Sequence, residues 1–513
     1  MSTSTSTSTP GAASAVEFED IQGLVRFGYG ALTEASFLLL RIRDADAARA
    51  WLANAPVASA MLRQPPPRTA LQIAFTSDGL RALHIPEPII EGFSPEFFIG
   101  MGSDASRSRR LGDLGANAPS AWRWGGQAAE VPHVMLMLYA LPGGLESWQQ
   151  AILAQCEEGF TLMRCLPTSD MKDREPFGFR DGISQPAPDW KRERPVRDKE
   201  RLDYGNLSCV GEFVLGYPNE YGAYTDRPLL PAGSDHAEML PHAEEQPDMH
   251  DLGRNGSYLV LRQLRQHVGE FWRCLDEQAG GDAALRRRLA ESMVGRTLDG
   301  DPLVGRTGER IAGEDDPHNG FTFRGDPDGL RCPLGAHIRR SNPRNADLPP
   351  GGTGLLSRLV RTLGFDAVAL AEDHIASTRF HRLLRRGREY GPAISMQQAL
   401  AGTAPAEGEG AGEGTGLQFI CLNANIARQF EFVQGAWIAG TRFDRLSGES
   451  DPLLGTRQPG ADGVPTDGFS MPQAGGAARR LTGLPPFVTV LGGAYFFLPG
   501  LRALRFLSKV QPS

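Results

Sequence analysis

The run SFLLLRIRDADAARAWLANA, Ser36 to Ala55, joins two periodicities. Its first part, SFLLLRIRD, is the unbroken apolar run of a buried strand. Its second part, ADAARAWLANA, places alanines, Trp51 and Leu52 at helical spacing. The alternation continues downstream. LQIAFTSDGLRAL (Leu71 to Leu83) predicts a short strand and then a helix with Ser77 as its N-cap. VPHVMLMLYA (Val131 to Ala140) reads as a strand, SWQQAILAQCEEGF as a helix, and GFTLMRCLPT (Gly159 to Thr168) as a strand. The order β-α-β-(α)-β-α-β predicts a ferredoxin-like unit, an antiparallel sheet with helices on one side.

A weaker echo follows. GSYLVLRQL (Gly256 to Leu264) matches the first strand in character, and QHVGEFWRCLDEQ follows it as a helix. LQFICLNAN (Leu417 to Asn425) matches the HVMLMLYA strand, and IARQFEFVQGAW reads as the helix after it. The chain is therefore expected to be α+β, with two ferredoxin-like domains produced by an internal duplication. The expected division is a disordered polar tail over 1–19, an N-terminal domain over 20–250 and a C-terminal domain over 251–513. Tyr217–Pro247, Asn342–Gly354, Ala401–Gly416 and Thr456–Pro472 read as long loops, from their Gly, Pro and acidic content.

Bulk properties agree. A length of 513 residues exceeds one ordinary core. With 41% hydrophobic and 22% charged residues, the composition is that of a soluble globular protein. A net charge of −8 argues against a nucleic-acid partner. Arg382 to Arg388 is rich in arginine, but apolar residues interrupt it and no binding face need form. The six cysteines are scattered, with no CxxC pair, which predicts free thiols in a reducing compartment. MSTSTSTSTP lacks the basic start and apolar run of a secretory leader. The apolar stretch near Val488 to Leu498 holds a glycine pair and is too short to span a bilayer. The expectation is a cytoplasmic protein with no membrane partner, and a homo-oligomer is left open.

Three segments carry candidate chemistry. In RCPLGAHIRRSNPR (Arg331 to Arg344), His337 sits between a Gly-Ala pair and basic residues. Small neighbours would admit a flat cofactor, and the arginines could neutralise its carboxylates. A lone histidine is nonetheless more often a structural one bonded to a carbonyl. In FGFRDGISQP (Phe177 to Pro186), glycines and a proline define a tight loop around Asp181. That Asp is either a turn cap or a carboxylate aimed into a pocket for proton transfer. In HRLLRRGREYGP (His381 to Pro392), Leu383 and Leu384 suit a core-facing element, and Arg385 and Arg386 are either functional or solvated.

Together, FGFRDG, GAHIRRSNPR and LLRRGREYGP, in that order, resemble the dye-decolourising haem peroxidases, in their longer-chain subfamily. DIQGLVRFGYG (Asp20 to Gly30), EFVLGYPNEYG (Glu212 to Gly222), RQFEFVQGAW (Arg428 to Trp437) and DPLLG (Asp451 to Gly455) extend the resemblance from about Asp20 to Leu507. It implies two ferredoxin-like domains of the dimeric α+β barrel type and a haem b cofactor. The implied reaction reduces hydrogen peroxide to water through a ferryl haem and oxidises bulky dyes, phenols or similar reductants. His337 matches the proximal iron ligand, Asp181 the distal aspartate and Arg385 the distal arginine, with Arg386 the competing choice. Arg339 and Arg344 would meet the haem propionates. Many relatives carry an acidic residue where Asn425 stands, which leaves the hydrogen-bond partner of His337 open between Glu431 and a backbone carbonyl. Tyr390 is expected to serve packing rather than radical chemistry.

Three other readings stand beside this one. A haem-binding or haem-processing protein without turnover would need neither Asp181 nor Arg385. A glycosidase would need a second carboxylate beside Asp181 and would leave His337 without a role. A capsid-cargo protein finds little support in the short SKVQPS end.

Overall fold

The structure, a computed structural model, describes residues 15–193, 204–305, 316–344, 377–403, 414–460 and 463–510. The expected loops Asn342–Gly354 and Ala401–Gly416, and residues 1–14 of the expected tail, lie largely or wholly outside these residues.

Strands β1 (Glu34–Ile42), β2 (Thr69–Phe75), β3 (Val134–Ala140) and β4 (Phe160–Pro167) form an antiparallel sheet in the order β4-β1-β3-β2. Helices α1 (Ala45–Leu52), α2 (Ala105–Leu111) and α3 (Leu145–Cys156) lie in the connections. Every residue of β3 is buried, so its apolar run is continuous rather than alternating. The side chain of Asp44 caps α1 by accepting from Ala47 N–H. At the helix after β2, the cap is Thr76 rather than Ser77. Its Oγ1 accepts from Gly79 N–H at 3.1 Å, and Ser77 is already helical.

The second unit repeats the plan. Strands β5 (Ser257–Gln266), β6 (Leu384–Arg385), β7 (Arg388–Tyr390), β8 (Gly416–Asn423) and β9 (Val488–Leu498) pair as β6-β8-β5-β9, with β7 also on β8. Helices α4 (Val268–Gln278) and α5 (Ala283–Val294) follow β5. Counting β6 and β7 as one interrupted strand, both units have the ferredoxin-like order. The segment after β8 winds as a π-helix over Ala427–Glu431 and Val433–Ile438. A single pairing, Phe497 of β9 with Phe75 of β2, joins the two sheets edge to edge.

β9 is thus the element that links the halves. Its register shifts between Val490 and Gly492. A Cβ on Gly492 would fall 2.4 Å from the Trp124 ring, so the glycine admits that indole. Among the described residues no helix is long and apolar enough to cross a membrane.

One face of the joined sheet packs against the helices. The other is covered by Ile21, Leu24 and Val25 and by Val210, Phe213 and Tyr217. Part of the expected tail over 1–19 packs against the folded chain. Val16 is buried, and Glu17 pairs with Arg502 at 2.7 Å and Arg254 at 3.3 Å.

Candidate active site

A cavity of about 280 Å³ lies on the helix side of the second sheet, where Leu264, Leu417, Phe419 and Val488 line it. That size is near the lower end of small-molecule sites, on the order of 300 Å³. Three elements bring polar groups to it: the loop after β4, the short helix α6 (His337–Ser341) and β6.

The loop after β4 presents Asp181. Gly178 and Gly182 have φ of 99° and 74°, a backbone that side chains rarely adopt, so glycine is required on both sides of the aspartate. Asp181 N–H donates to Asp173 O at 2.9 Å, and Arg180 N–H donates to Leu298 O at 3.1 Å. Arg385 Nη1 donates to Asp181 Oδ1 at 3.0 Å, and its Nη2 donates to Ser184 O at 3.2 Å. The main chain of Arg385 is clasped by the Gln185 side chain, through bonds of 3.0 and 3.3 Å. Burial alone would raise the Asp181 carboxyl. Arg385, the Gly182 N–H and His337 outweigh it and hold the group below its ordinary value.

The two arginines of β6 separate cleanly. Arg385 faces the cavity. Arg386 turns to the other side of the sheet and donates to Leu24 O and Val25 O at 2.8 and 3.0 Å. Adjacent strand residues point to opposite faces, which decides between them. Tyr390 is buried in β7, in keeping with a packing role.

His337 opens α6, and it lines the cavity. Nδ1 bonds Asp451 Oδ2 at 3.0 Å, and Nε2 has no hydrogen-bond partner among the described residues. Asp451 is fully buried, and its other oxygen accepts from Leu453 and Leu454 N–H at 2.9 and 2.8 Å. Neither Glu431 nor a backbone carbonyl, the two expected substitutes for the acid missing at Asn425, is the partner. Glu431 pairs with Arg107 at 2.7 Å and accepts from Tyr495 OH, and Asn425 Oδ1 accepts from Arg428 N–H. Asp451 lies in the DPLLG segment, 114 residues from His337.

Arg339 does not reach the cavity. It points from α6 to Asp326 O and Cys332 O at 3.0 and 3.1 Å, so it is no propionate partner. Residues on a helix turn by about 100° per position, and only some of α6 can face the cavity. Arg344 does line it, with its guanidinium anchored on Asn319 O and Phe321 O at 2.7 Å each. Two arginines not anticipated from sequence join it. Arg296 is pushed down to about 9 by burial and by the nearby charges of Arg344 and Arg385. Arg382 is buried, and its Nε has no hydrogen-bond partner. Arg296 has no motif around it, and Arg382 stands in HRLLRRGREYGP beside the Arg385–Arg386 pair that drew the attention there.

Haem fits this donor set. One imidazole nitrogen is free, the walls carry Val294, Phe321, Val433 and Leu454, and the arginines suit carboxylates. The orphaned Arg382 Nε and the crowded Arg296 both call for an anionic group. No group of three or more His, Cys, Asp or Glu placed to hold a bare metal ion occurs among the described residues.

No family model matches the chain. It is 27% identical over 471 residues to "Dye-decolorizing peroxidase msp1" of Mycetinis scorodonius, covering 86% of this chain and 77% of that protein. It is 28% identical over 462 residues to "Multifunctional dye peroxidase DyP2" of an Amycolatopsis species, covering 85% and 82%. The crystal structure of a fungal DyP-type peroxidase from Auricularia auricula-judae matches with a TM-score of 0.70 at 25% identity, over 97% of this chain and 100% of that one. With the same architecture over nearly the whole length, and its motif residues gathered at one cavity, the chain is similar to the dye-decolourising peroxidases in both sequence and fold.

Proposed function

We propose that this enzyme is a haem b peroxidase that reduces hydrogen peroxide to water and oxidises bulky dyes, phenols or similar reductants. One observation carries the reading. An ionised carboxylate, Asp181, held by Arg385, faces the same cavity as the free Nε2 of His337. His337 would hold the iron, and Arg344, Arg296 and Arg382 the propionates. Bound haem supplies the iron that takes up peroxide and stores its two oxidising equivalents. Asp181 accepts a proton from one peroxide oxygen and delivers it to the other, so that water leaves as the O–O bond breaks. Arg385 keeps Asp181 ionised and offsets negative charge building on the departing oxygen. Asp451 fixes the tautomer and orientation of His337. A cytoplasmic location belongs to the same reading, supported by six cysteines that all stand as free thiols.

The test is peroxide-dependent bleaching of an anthraquinone dye by the haem-loaded protein, run beside transfer of its haem to an apo-acceptor. Turnover of many dye molecules per haem, with the haem retained, is expected. Haem transfer without bleaching would instead establish the haem-processing alternative.

The pH profile follows from Asp181. Its lowered value means that the carboxylate persists below the ordinary range of about 3.9. Reaction with peroxide is expected to survive into acid and fail only as Asp181 protonates. Arg385→Leu removes the cation but keeps the burial, so the acid limb of kcat/KM for peroxide should move to higher pH. An unmoved limb would take this role from Arg385.

A further inference from the structure

We propose that Glu175 is the positioning residue of the Asp181 loop, a role that rests on the peroxidase reading above. The loop is wound around its carboxylate. Oε1 accepts from Phe179 N–H at 3.0 Å, and Oε2 accepts from Phe177 N–H at 3.0 Å. The Glu175 main chain closes the same turn, donating to Phe179 O at 2.9 Å and accepting from Gly178 N–H at 2.8 Å. Asp181 follows two residues after Phe179.

A further bond ties this turn to the other half of the molecule. Gln266 Nε2, at the end of β5, donates to Glu175 Oε2 at 2.7 Å. Gln266 is buried, and its own N–H is held by Thr415 O at 2.9 Å. Glu175 and Gln266 both line the cavity. The first unit supplies the loop, the second supplies His337 and Arg385, and Glu175–Gln266 is a clasp between them. The angle at which Asp181 meets Arg385 is therefore set in part by this clasp.

Glu175 is not a second acid–base group of the kind a glycosidase needs, because its two oxygens are already filled by donors from the protein. Nor is a carboxylate an economical wall. Burial, and Asp181 nearby, push it up to about 7 despite its three donors. A carboxyl group buried at that cost, on the loop that carries Asp181, fits a geometric task better than a packing one.

A double-mutant cycle between Glu175→Ala and Asp181→Ala tests this, with kcat/KM for peroxide measured on haem-matched samples. Glu175→Ala alone should lose about tenfold to 100-fold, as a misplacement near 1 Å does. The KM for dye should stay unchanged. In the Asp181→Ala background the same substitution should add less than about twofold, because it acts through that carboxylate. Glu175→Gln keeps an acceptor for the loop and should recover most of the loss. In the apoprotein, amides of residues 177–182 should exchange faster in Glu175→Ala. A wild-type rate in Glu175→Ala, equal losses in both backgrounds, or unchanged amide exchange would each overturn the proposal. Should Glu175→Ala fail to fold, Gln266→Leu removes the clasp alone, and the same non-additive loss is expected; an additive loss or none overturns it. A wild-type rate in Asp181→Ala would fall on the peroxidase reading and take this inference with it. A slow Asp181→Ala beside a normal Glu175→Ala overturns the clasp alone.

Discussion

His337→Ala is expected to purify as a folded protein that holds little or no haem. The side chain donates to nothing in the core except Asp451, and its ring faces the cavity. Removing it leaves the sheet and the helices around the site intact. It also strands Asp451, a fully buried carboxylate held otherwise by Leu453 and Leu454 N–H. Losing one partner of a buried charged pair costs about 3–5 kcal/mol, so some loss of thermal stability accompanies the loss of haem. Exogenous imidazole, which can reoccupy the vacated space, should restore part of the Soret absorbance. Absorbance per protein after haemin loading is the measurement. Full haem retention in His337→Ala would remove this residue as the iron ligand.

Asp181→Ala is expected to keep its haem and its fold but to react with peroxide about 10²–10⁴-fold more slowly, the usual contribution of a positioned acid–base group. The carboxylate sits on a loop and is held by Arg385 and the Gly182 N–H. Its loss leaves Arg385 bonded to Ser184 O, so the guanidinium should stay in place. The residual rate then reports what Arg385 contributes alone. Asp181→Asn should be nearly as slow, since an amide fills the space but cannot take the proton.

Much of this was legible in the sequence, for physical reasons. Strands buried on both faces announce themselves as apolar runs, and β1 and β3 were found that way, with β5 and β8 recognised by their likeness to them. β9 escaped as a strand because the glycines that admit Trp124 and Met101 interrupt its pattern. β6 and β7 escaped because each is only a few residues long and is built largely of arginine and glutamate. Asp181 stood out through its turn glycines, which are a local property, while Arg385 was reached through the resemblance, and only the alternation of β6 in the structure separates it from Arg386. The partner of His337 could not be read locally, since Asp451 meets it only through the tertiary fold. Arg339 misled for the same reason. A basic residue two positions from the ligand looks poised for a propionate, yet the helix turns it toward Asp326.

Rapid mixing of the haem-loaded protein with one equivalent of hydrogen peroxide, followed at the Soret band, measures the step in which Asp181 moves the peroxide proton. The wild-type band should shift within the first turnover, and the shift should be slowed by at least about 100-fold in Asp181→Ala at equal haem content. Equal shifts in the two proteins, or a wild-type band that peroxide leaves unchanged, would contradict the account.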